Sequence, residues 1–146
     1  MPAGMVHTLQ EIHRVLTSDG VLLDLRPAIG SRVVLVDLPY ATLNVGEFDS
    51  SATTADKQAA HDAIAQVVAQ GQFVQEHLET FDLTLAMDTV DDLRDYADSL
   101  RRSILPDDVL TQVETLTADE DPETYAIRIR RPMHLALYRK QIPNKP

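Results

Sequence analysis

Between Met5 and Leu25 the chain changes its apolar period abruptly. Met5, Leu9, Ile12 and Leu16 recur at steps of four, three and four, one stripe along a helix. Thr17-Ser18-Asp19-Gly20 stops that helix, and Val21-Leu22-Leu23-Asp24-Leu25 follows as an apolar run of strand length closed by Arg26-Pro27. A helix delivered through a glycine turn into such a strand is half of an α/β unit, and the run suits a strand covered on both faces.

The rest of the chain continues the alternation of periods. Arg32 to Phe48 reads as a hairpin, with Arg32–Val36 and Thr42–Phe48 as arms and Leu38-Pro39-Tyr40 near the bend. After the polar stretch 49–54, Ala60, Ala63, Ile64, Val67 and Val68 share a helical face that ends at Gly71, and Thr53 with Asp56 forms a candidate capping pair. From Phe73 to Asp88 the period shifts to two, with Phe81, Leu83, Leu85 and Met87 on the side expected to be buried. Thr89 opens a helix carrying Leu93, Tyr96, Ala97 and Leu100, and a further helix after Pro106 carries Val109, Leu110, Val113 and Leu116. Past the acidic loop 119–123, Tyr125 to Tyr138 is the longest strand expected. Its Ile127, Ile129, Met133, Leu135 and Leu137 fall on one face, and Arg128, Arg130 and His134 on the other.

A length of 146 residues with 44% apolar content suits one compact domain over 1–142, with 143–146 as a frayed tail. A formal charge of -10 disfavours nucleic-acid binding. The absence of cysteine removes disulfides, thiolate metal sites and cysteine nucleophiles. No apolar stretch reaches the roughly 18 residues of a membrane span, and the N-terminus carries no signal-peptide pattern, so no membrane partner and a cytoplasmic location are expected.

The block LQEIHRVLTSDGVLLDLRP, Leu9 to Pro27, resembles the stretch of class I S-adenosylmethionine-dependent methyltransferases in which a helix ends in an RVLKPGG-type turn and feeds the fifth strand. The later order of elements is similar to the C-terminal half of that family: an insertion, a helix, a long sixth strand, one or two helices and an antiparallel seventh strand. The resemblance implies a partial Rossmann-like fold: a mixed sheet with an antiparallel last strand, an inserted β-hairpin and flanking helices. Val21–Leu25, Phe81–Met87 and Ile127–Leu137 would share that sheet. The family's Gly-rich turn and ribose-binding acid lie upstream of anything present when Met1 is taken as the start. Gly4, Gly20, Gly30, Gly46 and Gly71 are never within four residues of one another, so no G-x-G-x-x-G loop is available. The isolated chain is thus expected to hold no cofactor, with S-adenosylmethionine bound only if a partner chain supplies its site.

Two functional readings follow. One is a methyltransferase-related protein, the substrate-side half of the fold, acting on a small molecule with a methyltransferase partner chain. The other is a non-catalytic interaction or dimerisation module, with a homodimer covering the open edge of Val21–Leu25 unless the 32–48 hairpin folds over it. Substrate-binding candidates are Asp24 and Arg26, at the carboxyl end of the first strand where open α/β sheets place ligands, and Tyr40. No catalytic residue is singled out. His7 and His13, six apart on one helix, are off a common face, and His61, His77 and His134 fall in three elements, so no metal site is expected. Asp91-Asp92 and Asp107-Asp108 sit at helix starts, where they favour the positive end of the dipole. The six basic residues after position 125 read as a solvated or salt-bridged sheet face, or as a site for an anionic partner.

Overall fold

A computed structural model of the protein describes residues 2–142. The elements are α1 (Pro2–Val15), β1 (Val21–Pro27), β2 (Val33–Leu38), β3 (Ala41–Glu47), α2 (Ser51–Ala69), β4 (Phe73–Met87), α3 (Val90–Ser99), α4 (Asp107–Thr117) and β5 (Ala126–Lys140). The fold is α/β, with five strands in one open sheet. β5 pairs antiparallel with β1 and with β2, and β2 antiparallel with β3. β4 also pairs with β5. Glu76 meets Arg139 and Asp82 meets Arg130, so β4 and β5 run in opposite directions. The three segments expected to share a sheet do so. The sheet is antiparallel, however, and not mixed: every neighbouring pair runs in opposite directions, including β4 and β5, which are joined through two helices.

The residues form two compact units. One comprises the chain up to Ile29, Ala55–Phe81 and Met133 onward; the other comprises Gly30–Thr54 and Asp82–Pro132. In the first, β1 pairs with 133–139 of β5, setting Leu23 opposite Leu137 and Leu25 opposite Leu135. Val6, Leu9, Ile12 and Leu16 of the α1 region and Ile64 and Val68 of α2 pack around Val67, Phe73, Ala136 and Tyr138. α2 ends in a Schellman arrangement: Gln72 N–H donates to Val67 O and Gly71 N–H to Val68 O, with Gly71 at φ 75°. Its start differs from the expected Thr53–Asp56 capping pair. The helix begins at Ser51, whose N–H donates to Asp49 Oδ1 at 2.9 Å, and Thr53 lies inside the first turn with its hydroxyl on Ser50 O.

β1 departs further from expectation. Leu22 packs into the core of this unit, but Val21, Leu23 and Leu25 are 43%, 60% and 56% exposed. Both helices of the unit contribute to the cluster that takes Leu22, so successive side chains of the strand alternate between a covered and an open side.

In the second unit, β2 and β3 form the expected hairpin around Pro39-Tyr40, with a register shift between Val34 and Leu35. β2 lies on 126–130 of β5, so its hydrogen-bonding edge is taken there and not by β1. The core gathers Val34, Val36, Leu38, Val45, Phe48, Met87, Leu93, Val109, Val113, Ile127 and Ile129. Phe48 meets Tyr96 edge to face with ring centroids 6.0 Å apart. α3 opens with the Thr89 cap in a complete capping box, Thr89 Oγ1 accepting from Asp92 N–H and Asp92 Oδ2 from Thr89 N–H. Asp107 and Asp108 occupy the first turn of α4.

Two strand faces read differently from the sequence. On β4, Met87 is buried but Leu83 and Leu85, and Phe81 at the end of the first unit, stay exposed. On β5, burial follows odd positions at Ile127 and Ile129 but even ones at Ala136 and Tyr138. Arg131 and Pro132 lie between the β2 and β1 ladders, and the change in which parity is buried falls across them. In this part of β5 the buried residues are Ala136 and Tyr138 and not Met133, Leu135 and Leu137, and His134 shares the parity of the buried ones. Among the described residues no helix is long and apolar enough to cross a membrane.

Candidate functional site

In the first unit α1, β1 and α2 enclose a cleft of about 470 Å³. Gly4, Met5, Thr8 and Leu9 line it from α1, Ala60, Ala63 and Ile64 from α2, and Asp24 and Arg26 from β1. The small side chains of Ala60 and Ala63 leave the space open, where larger residues on the same helical face would fill it. Such a volume falls in the range that holds a small molecule, and the lining is mostly apolar with a few convergent polar groups.

The polar end is built by strand geometry. Asp24 and Arg26 are two apart on β1 and so share a face, and the antiparallel register places His134 opposite Arg26. Arg26 Nε donates to Asp24 Oδ1 at 3.1 Å and Oδ2 at 3.0 Å. His134 Nε2 lies 3.3 Å from Asp24 Oδ2, at ion-pair distance but off the angle of a hydrogen bond, so this buried nitrogen has no hydrogen-bond partner. Burial, helped by the neighbouring Arg26 charge and by His61, holds the His134 imidazole below its ordinary pKa of 6.5 against the pull of Asp24. The ring is thereby biased to its neutral form, able to donate through one nitrogen and accept through the other. Burial also raises the Tyr138 phenol, beside which Asp24 lies. A second, smaller cleft of about 320 Å³ adjoins Tyr138, Gln75 and His61.

Asp24 and Arg26 are thus brought together at the floor of one cleft. Tyr40 is elsewhere: it sits at the β2–β3 turn of the second unit, 74% exposed, and lines none of these clefts. His134 was missed because the alternation Met133-His134-Leu135-Ala136-Leu137-Tyr138 has two apolar phases. The more apolar one was the natural choice for the core. The basic residues of β5 are largely taken by acids. Arg128 pairs with Asp37, which is held below the usual carboxylate range by that guanidinium and by the Thr42 hydroxyl, and Arg139 pairs with Glu76. Arg130 lies 3.8 Å from Asp82. Three or more His, Cys, Asp or Glu side chains placed to hold a metal ion do not occur among the described residues. In comparisons with known proteins, no family model, no curated protein and no solved structure matches this chain.

Proposed function

We propose that this chain is the substrate-side part of a methyltransferase-related protein, and that the first-unit cleft takes a small, mainly apolar molecule with one hydrogen-bonding end. The observation that carries the reading is the convergence of Asp24, Arg26 and His134 under an apolar cleft at the end of β1. The position of β5, beside both β1 and β4, agrees with the fifth, seventh and sixth strands of the family it resembles. The polar triad orients the ligand, while α1 and α2 exclude water from its apolar body. The glycines of the chain are too far apart in sequence for a G-x-G-x-x-G loop, which is why the cofactor is assigned to a partner chain.

Ligand-observed NMR tests this, using a mixture of small aromatic and aliphatic alcohols and acids together with S-adenosylmethionine. Members of the mixture are expected to bind the wild-type chain and to be lost in Ala60→Phe, which fills the cleft, while S-adenosylmethionine gives no signal. If no member binds, or Ala60→Phe changes nothing, the reading fails. Tight S-adenosylmethionine binding by this chain alone would overturn the division of labour between two halves.

A second reading, a module for association, is favoured by the open side of β1. Val21, Leu23 and Leu25 stand exposed beside Leu135 and Leu137, and Val74 and Leu78 of β4 are exposed in the same unit. These side chains present on the order of several hundred Å² of apolar surface, beyond what isolated exposed residues account for. Packing two copies through this surface buries an area at the low end of stable interfaces, about 1,200 Å² in all. Light scattering on the eluting chain is expected to give twice 16.2 kDa at micromolar concentration, and Leu23→Lys to return it to 16.2 kDa with its circular dichroism unchanged. A wild-type monomer excludes this reading.

A further inference from the structure

The second unit holds two arginines where the fold supplies no acid for either. Arg32 is 9% exposed, and its Nε is buried without a hydrogen-bond partner. The ladder of β2 with β5 ends where Val33 opposes Arg130, and Arg32 and Arg131 are the next residues beyond that pair on the two segments. Arg32 is buried next to β2, whose Val34 and Val36 are fully buried, and Arg131 is half-buried on β5, two residues past the fully buried Ile129. The guanidinium of Arg131 is itself partly desolvated, and it feels the charge of Arg32. Like charges held close together repel, and buried charge without a counter-charge is among the costliest arrangements a fold can hold.

What surrounds Arg32 is a set of hydroxyls. Arg32 Nη1 donates to Ser103 Oγ at 2.9 Å, and Ser103 Oγ lies 3.2 Å from Ser50 Oγ, with both serines buried. No carboxylate pairs with Arg32 or Arg131 among the described residues. Ser103 also forms part of the wall of a cleft of about 440 Å³, so the cluster borders open space. Asp98 and Asp107 on that wall disfavour polyanions, which restricts the ligand to one small anionic group.

We infer that Arg32, Arg131, Ser50 and Ser103 form a binding site for a small oxyanion, a phosphate or carboxylate group, distinct from the cleft of the first unit. Two guanidinium forks match the geometry of such a group, and the hydroxyls complete its hydrogen bonds. The anion supplies the counter-charge that the second unit lacks, so binding and stability of that unit are linked.

Thermal denaturation of the full chain in phosphate, acetate and chloride at matched ionic strength tests the site. Phosphate also stabilises proteins generally by exclusion from their surfaces, so the readout is the difference between wild type and Arg131→Gln. Phosphate or acetate is expected to raise the wild-type melting temperature by roughly 4 °C more than it raises that of Arg131→Gln. The anion giving the larger shift identifies the group preferred. In chloride, Arg131→Gln is expected to melt no lower than wild type, because the substitution removes a repulsion. Ser103→Ala, which leaves both charges in place, is expected to reduce the phosphate or acetate shift. Equal responses of wild type and Arg131→Gln to both anions would overturn the site, as would an Arg131→Gln variant that melts well below wild type in chloride.

Discussion

Phe48→Ala is expected to destabilise the second unit by about 3–5 kcal/mol, a large part of the roughly 5–15 kcal/mol by which a domain of this size is stable. Phe48 is 1% exposed, in the same apolar cluster as Leu93, Val109 and Val113, with its ring edge-on to Tyr96. Truncation removes the transfer energy of the ring and leaves a cavity whose walls are a sheet and two helices, which cannot collapse far. Phe48 N–H also donates to Arg32 O at 2.9 Å, so loosening this position disturbs the backbone that presents Arg32. Urea denaturation followed by circular dichroism measures the loss, and hydrogen exchange localises it. A change below about 1 kcal/mol would show that the cluster is not the organising core of the unit.

Gly46→Ala is expected to cost about 2–5 kcal/mol through two separable terms. Gly46 has φ 137°, a conformation that a residue with a Cβ rarely adopts, and an added Cβ would stand 2.6 Å from Val109 Cγ2. Val109 is buried on α4, so it has little room to move away. The double substitution with Val109→Ala should recover the steric part while the backbone strain remains. Measured against the single variants, a coupling of about 1–3 kcal/mol is expected, and strict additivity would mean that Val109 does not confine this turn of β3.

Much of the fold was legible because local chemistry and long-range packing agree there. Gly20 ends a helix and releases a strand, the 32–48 segment forms its hairpin, and Thr89 opens the helix that carries Leu93 and Tyr96. Where the reading failed, the deciding fact lay outside the segment. Val21, Leu23 and Leu25 look like the interior of a sheet, yet exposure depends on which side the helices of the unit take. Which parity of β5 is buried past Arg131 depends on the residues of α1 and α2 packed against Ala136 and Tyr138, and alternation alone offers two equally regular answers. The candidate site shows the same limit. Asp24 and Arg26 could be placed from the end of β1, but His134 joins them only through a register spanning nearly the whole chain. The nearness of Arg32 and Arg131 likewise arises at the end of a ladder between distant strands.

That register has a consequence for synthesis. β1 leaves the ribosome well before its partner, 133–139 of β5. At about 5–20 residues per second, the intervening stretch takes on the order of ten seconds to translate. Throughout that interval the apolar run 21–25 has no strand to pair with, and β2 waits similarly for 126–130. Neither unit can close its sheet on the nascent chain, so both must complete folding after β5 emerges. The chain is therefore exposed to aggregation through β1 during translation, and an assistant that shields early strands should raise its soluble yield.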